Sequence, residues 1–125
     1  MMLRAGGLLC LLIVSACAST SSSNRGSLDV VTRAEMDGVQ AADAYALLQR
    51  LRPQFLRTRG SVSMSNTSDA YPIVYLNNVR HGNLNSLRDI PVNDIQEIRF
   101  ISASDATTRW GTGHGSGVIM VRTIM

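Results

Sequence analysis

The chain opens with an apolar run from Leu8 to Val14, preceded by the single basic residue Arg4 and followed by Ser15, Ala16 and Cys17. A basic start, an apolar middle and small residues before a cut are the layout of an export leader. The run falls well short of the ~20 apolar residues that a spanning helix needs, so residues 1–16 read as a removed leader rather than a permanent membrane helix. Of the 125 residues, 109 then remain, enough for one small domain with one core. The leader also takes with it Leu3, Leu8, Leu9, Leu11, Leu12, Ile13 and Val14, which inflate the overall hydrophobic content of 45%.

Only two cysteines exist, Cys10 inside the leader and Cys17 at its end, so a disulfide framework and a Cys-based metal site are both excluded from the domain. Val14-Ser15-Ala16-Cys17 resembles the bacterial lipobox, an aliphatic residue and two small ones before a cysteine. The resemblance implies a diacylglyceryl group on the Cys17 thiol, cleavage in front of it and acylation of the new amino terminus with chains such as palmitate. A thiolate is nucleophilic enough to take the lipid, and several acyl chains on one residue anchor far better than one. Ala18 follows where an aspartate would resemble an inner-membrane retention signal, so the expected location is the outer membrane, facing the periplasm. Residues 17–28 are rich in Ser, Thr, Asn and Gly, too polar to offset their ordering entropy, and read as a lipidated tether.

Residues 29–125 carry the domain. Thr32 and Glu35 fit a capping box opening a short helix over 33–39 with Met36 and Val39 inward. Asp43 can cap a second helix to about Leu51, whose Tyr45, Leu47, Leu48 and Leu51 form an apolar stripe, stopped by Pro53. Phe55 to Arg59 reads as a strand, and Gly60 with the serines after it as a loop. Ile73 to Leu76 and Val79 to His81 read as a hairpin turned by Asn77-Asn78, since asparagine tolerates positive φ. Leu84, Leu87 and Ile90 predict a short helix ending at Pro91, and Ile98 to Ile101 a strand. Ser104 is the expected cap of a last helical turn through Arg109. Four glycines in residues 111–117 precede the β-branched strand Val118 to Val121. This order of elements predicts an α+β fold with one small mixed sheet and short helices.

Several pieces, in this order, resemble the plug domain of TonB-dependent outer-membrane receptors. They are the opening Val30-Val31-Thr32-Arg33-Ala34-Glu35-Met36, a helix ending before Pro53, Arg59-Gly60, and a hairpin with Asn77-Asn78 at its turn. Ile90-Pro91, Asp94-Ile95, Glu97-Ile98, Ser104-Asp105-Ala106, Arg109-Trp110-Gly111 and Gly117-Val118-Ile119 complete the series. The resemblance spans residues 30–123 and implies a non-enzymatic binding or accessory module in envelope transport, contacting an outer-membrane receptor or another envelope protein. Two departures stand beside it. A receptor barrel of even ~22 strands of ~9 to 11 residues would exceed this chain, and a receptor needs no lipid anchor. A TonB box is not convincing; Leu28-Asp29-Val30-Val31 reads more simply as the first strand.

Other chemistry fares less well. The glycine run lacks GxGxxG spacing and precedes a strand, so no helix amino terminus receives a phosphate, and no cofactor is expected. His114 and Ser116, with an aspartate such as Asp105, form the alternative reading of a small envelope hydrolase, but no GxSxG elbow accompanies them; a purely structural lipoprotein is a third reading. His81 and His114 lack metal-ligand spacing. The formal charge of +3 drops to +2 without Arg4, which does not argue for nucleic acid. Arg50, Arg52, Arg57 and Arg59 are either a solvated face with packed stems or a patch for anionic headgroups or an acidic partner. Trp110 is expected to be buried packing.

Overall fold

The computed structural model describes residues 28–58 and 70–125; Cys17, the leader, the tether and Arg59-Gly60 lie outside them. Within those residues the chain forms one five-stranded mixed sheet. Its strands are β1 (Val30–Thr32), β2 (Ile73–Leu76), β3 (Val79–Gly82), β4 (Ile95–Ile101) and β5 (Val118–Thr123), in spatial order β1-β4-β5-β2-β3. Helices α1 (Arg33–Asp37), α2 (Ala44–Leu51) and α3 (Ala103–Trp110) join them, with 3-10 turns between. The α+β reading therefore holds.

The last strand lies in the middle. Val118, Ile119 and Val121 are fully buried and Met120 nearly so, which is the near-continuous apolar run of a strand covered on both faces. It runs antiparallel to β4, pairing Ile98 with Val121 and Phe100 with Ile119, and parallel to β2, pairing Ile73 with Val118 and Leu76 with Val121. The β2–β3 hairpin turns at Asn77 and Asn78, both at positive φ (48° and 72°), the backbone demanded by a two-residue turn that matches strand twist.

The first face of the sheet carries the main core. Met36 of α1, Leu47 and Leu48 of α2, and Leu87 pack on Val31, Val74, Ile98 and Ile119, each fully buried aliphatic contributing ~1.5–3 kcal/mol by removal from water. The Asp43 carboxylate caps α2 by accepting from the Ala46 N–H at 2.8 Å. Val39 packs only partly buried beside Met36.

Four expectations need correction. Phe55 and Leu56 are not strand but a 3-10 turn over Pro53–Leu56; Pro53 presets its opening φ, and the turn drives Phe55 inward to stack on Phe100 at 5.3 Å. Arg57 and Thr58, the next residues of that expected strand, are irregular chain, and its last, Arg59, lies outside the described residues. Leu84–Asp89 is 3-10 rather than α, in keeping with apolar residues spaced strictly by three. Strand β4 begins at Ile95, three residues before the expected start. Ser102, not Ser104, caps α3: it follows β4 directly in extended conformation, its Oγ accepts from Asp105 N–H at 3.2 Å and donates to the Asp105 carboxylate at 2.9 Å.

Arg52 ties β1 to α2. Its guanidinium donates to the carbonyls of Leu28 (3.1 Å) and Leu51 (3.0 Å) and to the Glu35 carboxylate (2.9 Å). Glu35 in turn accepts from the Thr32 N–H at 3.0 Å, the return half of the expected capping box. That backbone hydrogen bond, helped by Arg52 and opposed by partial desolvation, holds the Glu35 carboxyl below its ordinary value. A carboxyl lowered in the folded state stabilises above its unfolded pKa and loses that contribution as pH falls through the folded one. Thermal melts should show Glu35→Gln less stable than the parent at about pH 7, with the gap closing as acidification protonates the Glu35 carboxylate in the folded state. An unchanged gap across that acidification would refute the ionised cap.

Candidate functional site

The second face of the sheet is only half covered. Helix α3 leaves β4 and lies over Ile73, Tyr75, Ile101, Val118 and Met120, with Ala106 fully buried against them. Trp110 ends the helix, half-buried rather than buried as expected, its ring 4.5 Å from that of Tyr75. Arg109 lies over the outer face of the indole at 5.6 Å, within cation–π reach, and keeps that side wet.

From Gly111 the chain doubles back. Gly111 sits at φ 87°, and its N–H closes the helix on the Thr107 carbonyl at 2.8 Å. The Gly111 carbonyl lies 2.9 Å from His114 Nδ1; a carbonyl only accepts, so Nδ1 carries a proton. Nε2 lies 2.9 Å from the Tyr75 hydroxyl. Both ring nitrogens of His114 are thus engaged in holding the loop to β2 and to itself, and the imidazole is buried beside Trp110. Ser116 is buried as well.

Gly117 brings the loop into β5 at φ 84°. A Cβ there would stand 2.6 Å from the Ile101 carbonyl oxygen and 2.7 Å from Phe100 Cζ, so only glycine admits the strand beside β4. Gly113 shares a positive φ of 95° but would meet nothing within 4 Å.

The structure divides the residues singled out in sequence among three places. Asp105, Ala106, Trp110, Gly111, His114, Ser116, Gly117 and Val118 belong to α3, the glycine return and the strand it feeds. Ile95, Ile98 and Ile119 are in the first-face core, and Pro91 precedes a 3-10 turn at its rim. Asn77 and Asn78 form the hairpin turn, where the Asn77 side chain donates to Thr123 Oγ1 (2.7 Å) and accepts from its N–H (3.0 Å). Cys17, Arg59 and Gly60 lie outside the described residues.

Sequence reasoning missed the uncovered half of the second face. The register puts Thr32, Glu97 and Arg122 in one row across β1, β4 and β5, and Val30, Arg99, Met120 and Tyr75 in the next, extending to β2. Two cavities lie over these rows, one of about 400 Å³ reaching Asn77, Asn78 and Arg122 and one of about 510 Å³ reaching Val30 and Asp105. Arg99, Ile101 and Arg109 line both. Arg99 pairs with Glu97 at 3.2 Å; among the described residues neither Arg109 nor Arg122 has an acidic group within ion-pair reach. Among the described arginines of the local cluster, Arg52, by contrast, is turned inward onto carbonyls, away from the exposed Arg50 and Arg57. Among the described residues no group of His, Cys, Asp and Glu could hold a metal ion, and no helix is long and apolar enough to cross a membrane.

A five-stranded mixed sheet whose terminal strand re-enters the centre through a glycine-rich turn is a small α+β module of the plug type. A family model, the TonB-dependent Receptor Plug Domain, matches residues 20–118, and the chain belongs to that family. Membership places it in the context of outer-membrane receptors. No curated protein and no solved structure matches the chain.

Replacement of Gly117 by alanine should cost about 2 to 4 kcal/mol, combining a positive φ with a backbone clash, whereas Gly113→Ala should cost only the conformational penalty of about 1 to 2 kcal/mol. Urea unfolding of the two variants checks the difference, and equal losses would show that the approach to Ile101 is not what requires glycine.

Proposed function

We propose that the protein is a non-enzymatic lipoprotein of the outer membrane, anchored through Cys17 and facing the periplasm, whose plug-type domain acts as a binding or accessory module in envelope transport. The membership of residues 20–118 in the plug family carries this reading. The sequence Val14-Ser15-Ala16-Cys17 supports the anchor, and the polar residues after it suit a tether that leaves the domain free to reach a neighbouring receptor or other envelope protein.

The non-enzymatic part draws support from His114. A general base must present a ring nitrogen to its substrate or nucleophile, yet its Nδ1 is bonded to Gly111 and its Nε2 to Tyr75. In this reading the histidine pins the glycine return and Ser116 packs beneath it.

Mass spectrometry of the membrane fraction should find an amino-terminal peptide that begins at Cys17 and carries acyl mass, and Cys17→Ser should release the protein from the membrane. A mature chain that is soluble and unacylated would overturn the anchored reading.

A further inference from the structure

We infer that the uncovered half of the second sheet face is a docking groove for an acidic, extended segment of a partner protein, with Arg99, Arg109 and Arg122 as its cationic contacts. This rests on the binding-module reading and supplies what that reading lacks, the surface and the chemistry of the partner.

Charge complementarity carries the inference. Three exposed guanidiniums arrive from β4, α3 and β5, and among the described residues only Arg99 has an acidic partner, the Glu97 beside it on its own strand. Arginine presents a planar fork suited to carboxylates, and Arg109 and Arg122 line one cavity at the edge of α3, where the nearly buried Ile101 and Met120 also border it. Acidic groups occur at both ends: Glu97 stands among the three arginines of the first cavity, whereas Asp29 and Asp105 face two arginines in the second, the Asp105 carboxylate being occupied by Ser102. The groove is thus polarised, positive beside the Asn77-Asn78 turn and more acidic beside Asp29.

Its dimensions favour a chain over a single small anion. Running from Asn77 across β5 and β4 to Val30 on β1, it spans three inter-strand steps of ~4.8 Å, a length matched by about four to five residues of extended backbone. An isolated anion in so open a site would form exposed ion pairs, each worth only ~0–1 kcal/mol. A segment engaging several guanidiniums at once sums those small contributions in a single binding event. Among the described residues on the opposite side of the molecule, Arg50 borders a separate cavity that it shares with the Arg33–Asp37 ion pair, and Arg57 stands alone beyond the turn after α2.

The test is fluorescence anisotropy on the full mature chain, with a labelled peptide of about eight extended residues in which glutamates flank a central leucine. The peptide should bind, and its counterpart with lysines in place of the glutamates should not. The paired change Arg99→Glu with Arg122→Glu should weaken binding about tenfold or more, while Arg50→Glu with Arg57→Glu should leave it within about twofold. The milder pair Arg99→Gln with Arg122→Gln removes charge without setting new carboxylates against Glu97, so a loss of binding there, with an unchanged thermal melt, separates docking from folding. Equal binding of the two peptides, or equal weakening by the opposite-face pair, overturns the groove. So does a chain that ignores the glutamate peptide but binds phosphatidylglycerol vesicles through the same arginines, because that result assigns the surface to a membrane. Peptide binding by an unacylated chain keeps the groove and discards the anchor; an acylated chain blind to the peptide does the reverse.

Discussion

The close approach of Gly117 to β4 governs the whole architecture. With the Ile101 carbonyl oxygen only 2.6 Å from where a Cβ would stand, the backbone can slide between β4 and β2 and let four residues fill both layers at once. Ile119 and Val121 enter the first-face core, and Val118 and Met120 the second. Without that insertion the two antiparallel pairs, β1 with β4 and β2 with β3, share no hydrogen bonds within the sheet order. The glycine return and the histidine that pins it serve this one entry. Tyr75 and Gly111 hold the loop in position from opposite ends of the imidazole.

Arginine does two different jobs here, and the difference is set by what surrounds each guanidinium. Arg33 donates to the Val92 and Ile95 carbonyls at 3.0 and 2.9 Å and pairs with Asp37, and Arg52 closes the gap between β1 and α2. Both satisfy main-chain acceptors at the ends of short elements, where no further turn of helix or strand supplies a donor. Arg99, Arg109 and Arg122 face outward over a half-covered sheet. A short α3 leaves that half bare: Ala103–Trp110 is eight residues long, about 12 Å at 1.5 Å per residue, and cannot shield five strands.

Much of the fold was legible because it rests on local signals. Asp43 and Pro53 bracket α2, Asn77-Asn78 announces the hairpin, and the β-branched run at 118–121 announces a buried strand. The errors fall where local pattern and tertiary demand diverge. Phe55 sits in an apolar pair that suits a strand, yet Pro53 and the ring of Phe100 recruit it into a turn. Ser102 and Ser104 are both fair caps by composition, and only the end of β4 selects the first. At the site, the glycines and Trp110 were visible, but the role of His114 depends on Tyr75, 39 residues away. The arginine groove was invisible for the same reason: Arg99 and Arg122 become neighbours only through the β4–β5 register, and Arg109 joins them only through the path of α3. The family resemblance was readable because it needs order and spacing alone.

The central position of a strand made last has a consequence for how the chain acquires its shape. A ribosome that has delivered everything up to residue 117 has delivered two separate ribbons, and two-stranded ribbons are marginal in water. Pairing of β2 with β5 joins residues some 45 positions apart, a non-local closure of the kind that slows folding. Closure of the five-stranded sheet therefore waits for residues 118–123, and the core on both of its faces is complete only once they are in place.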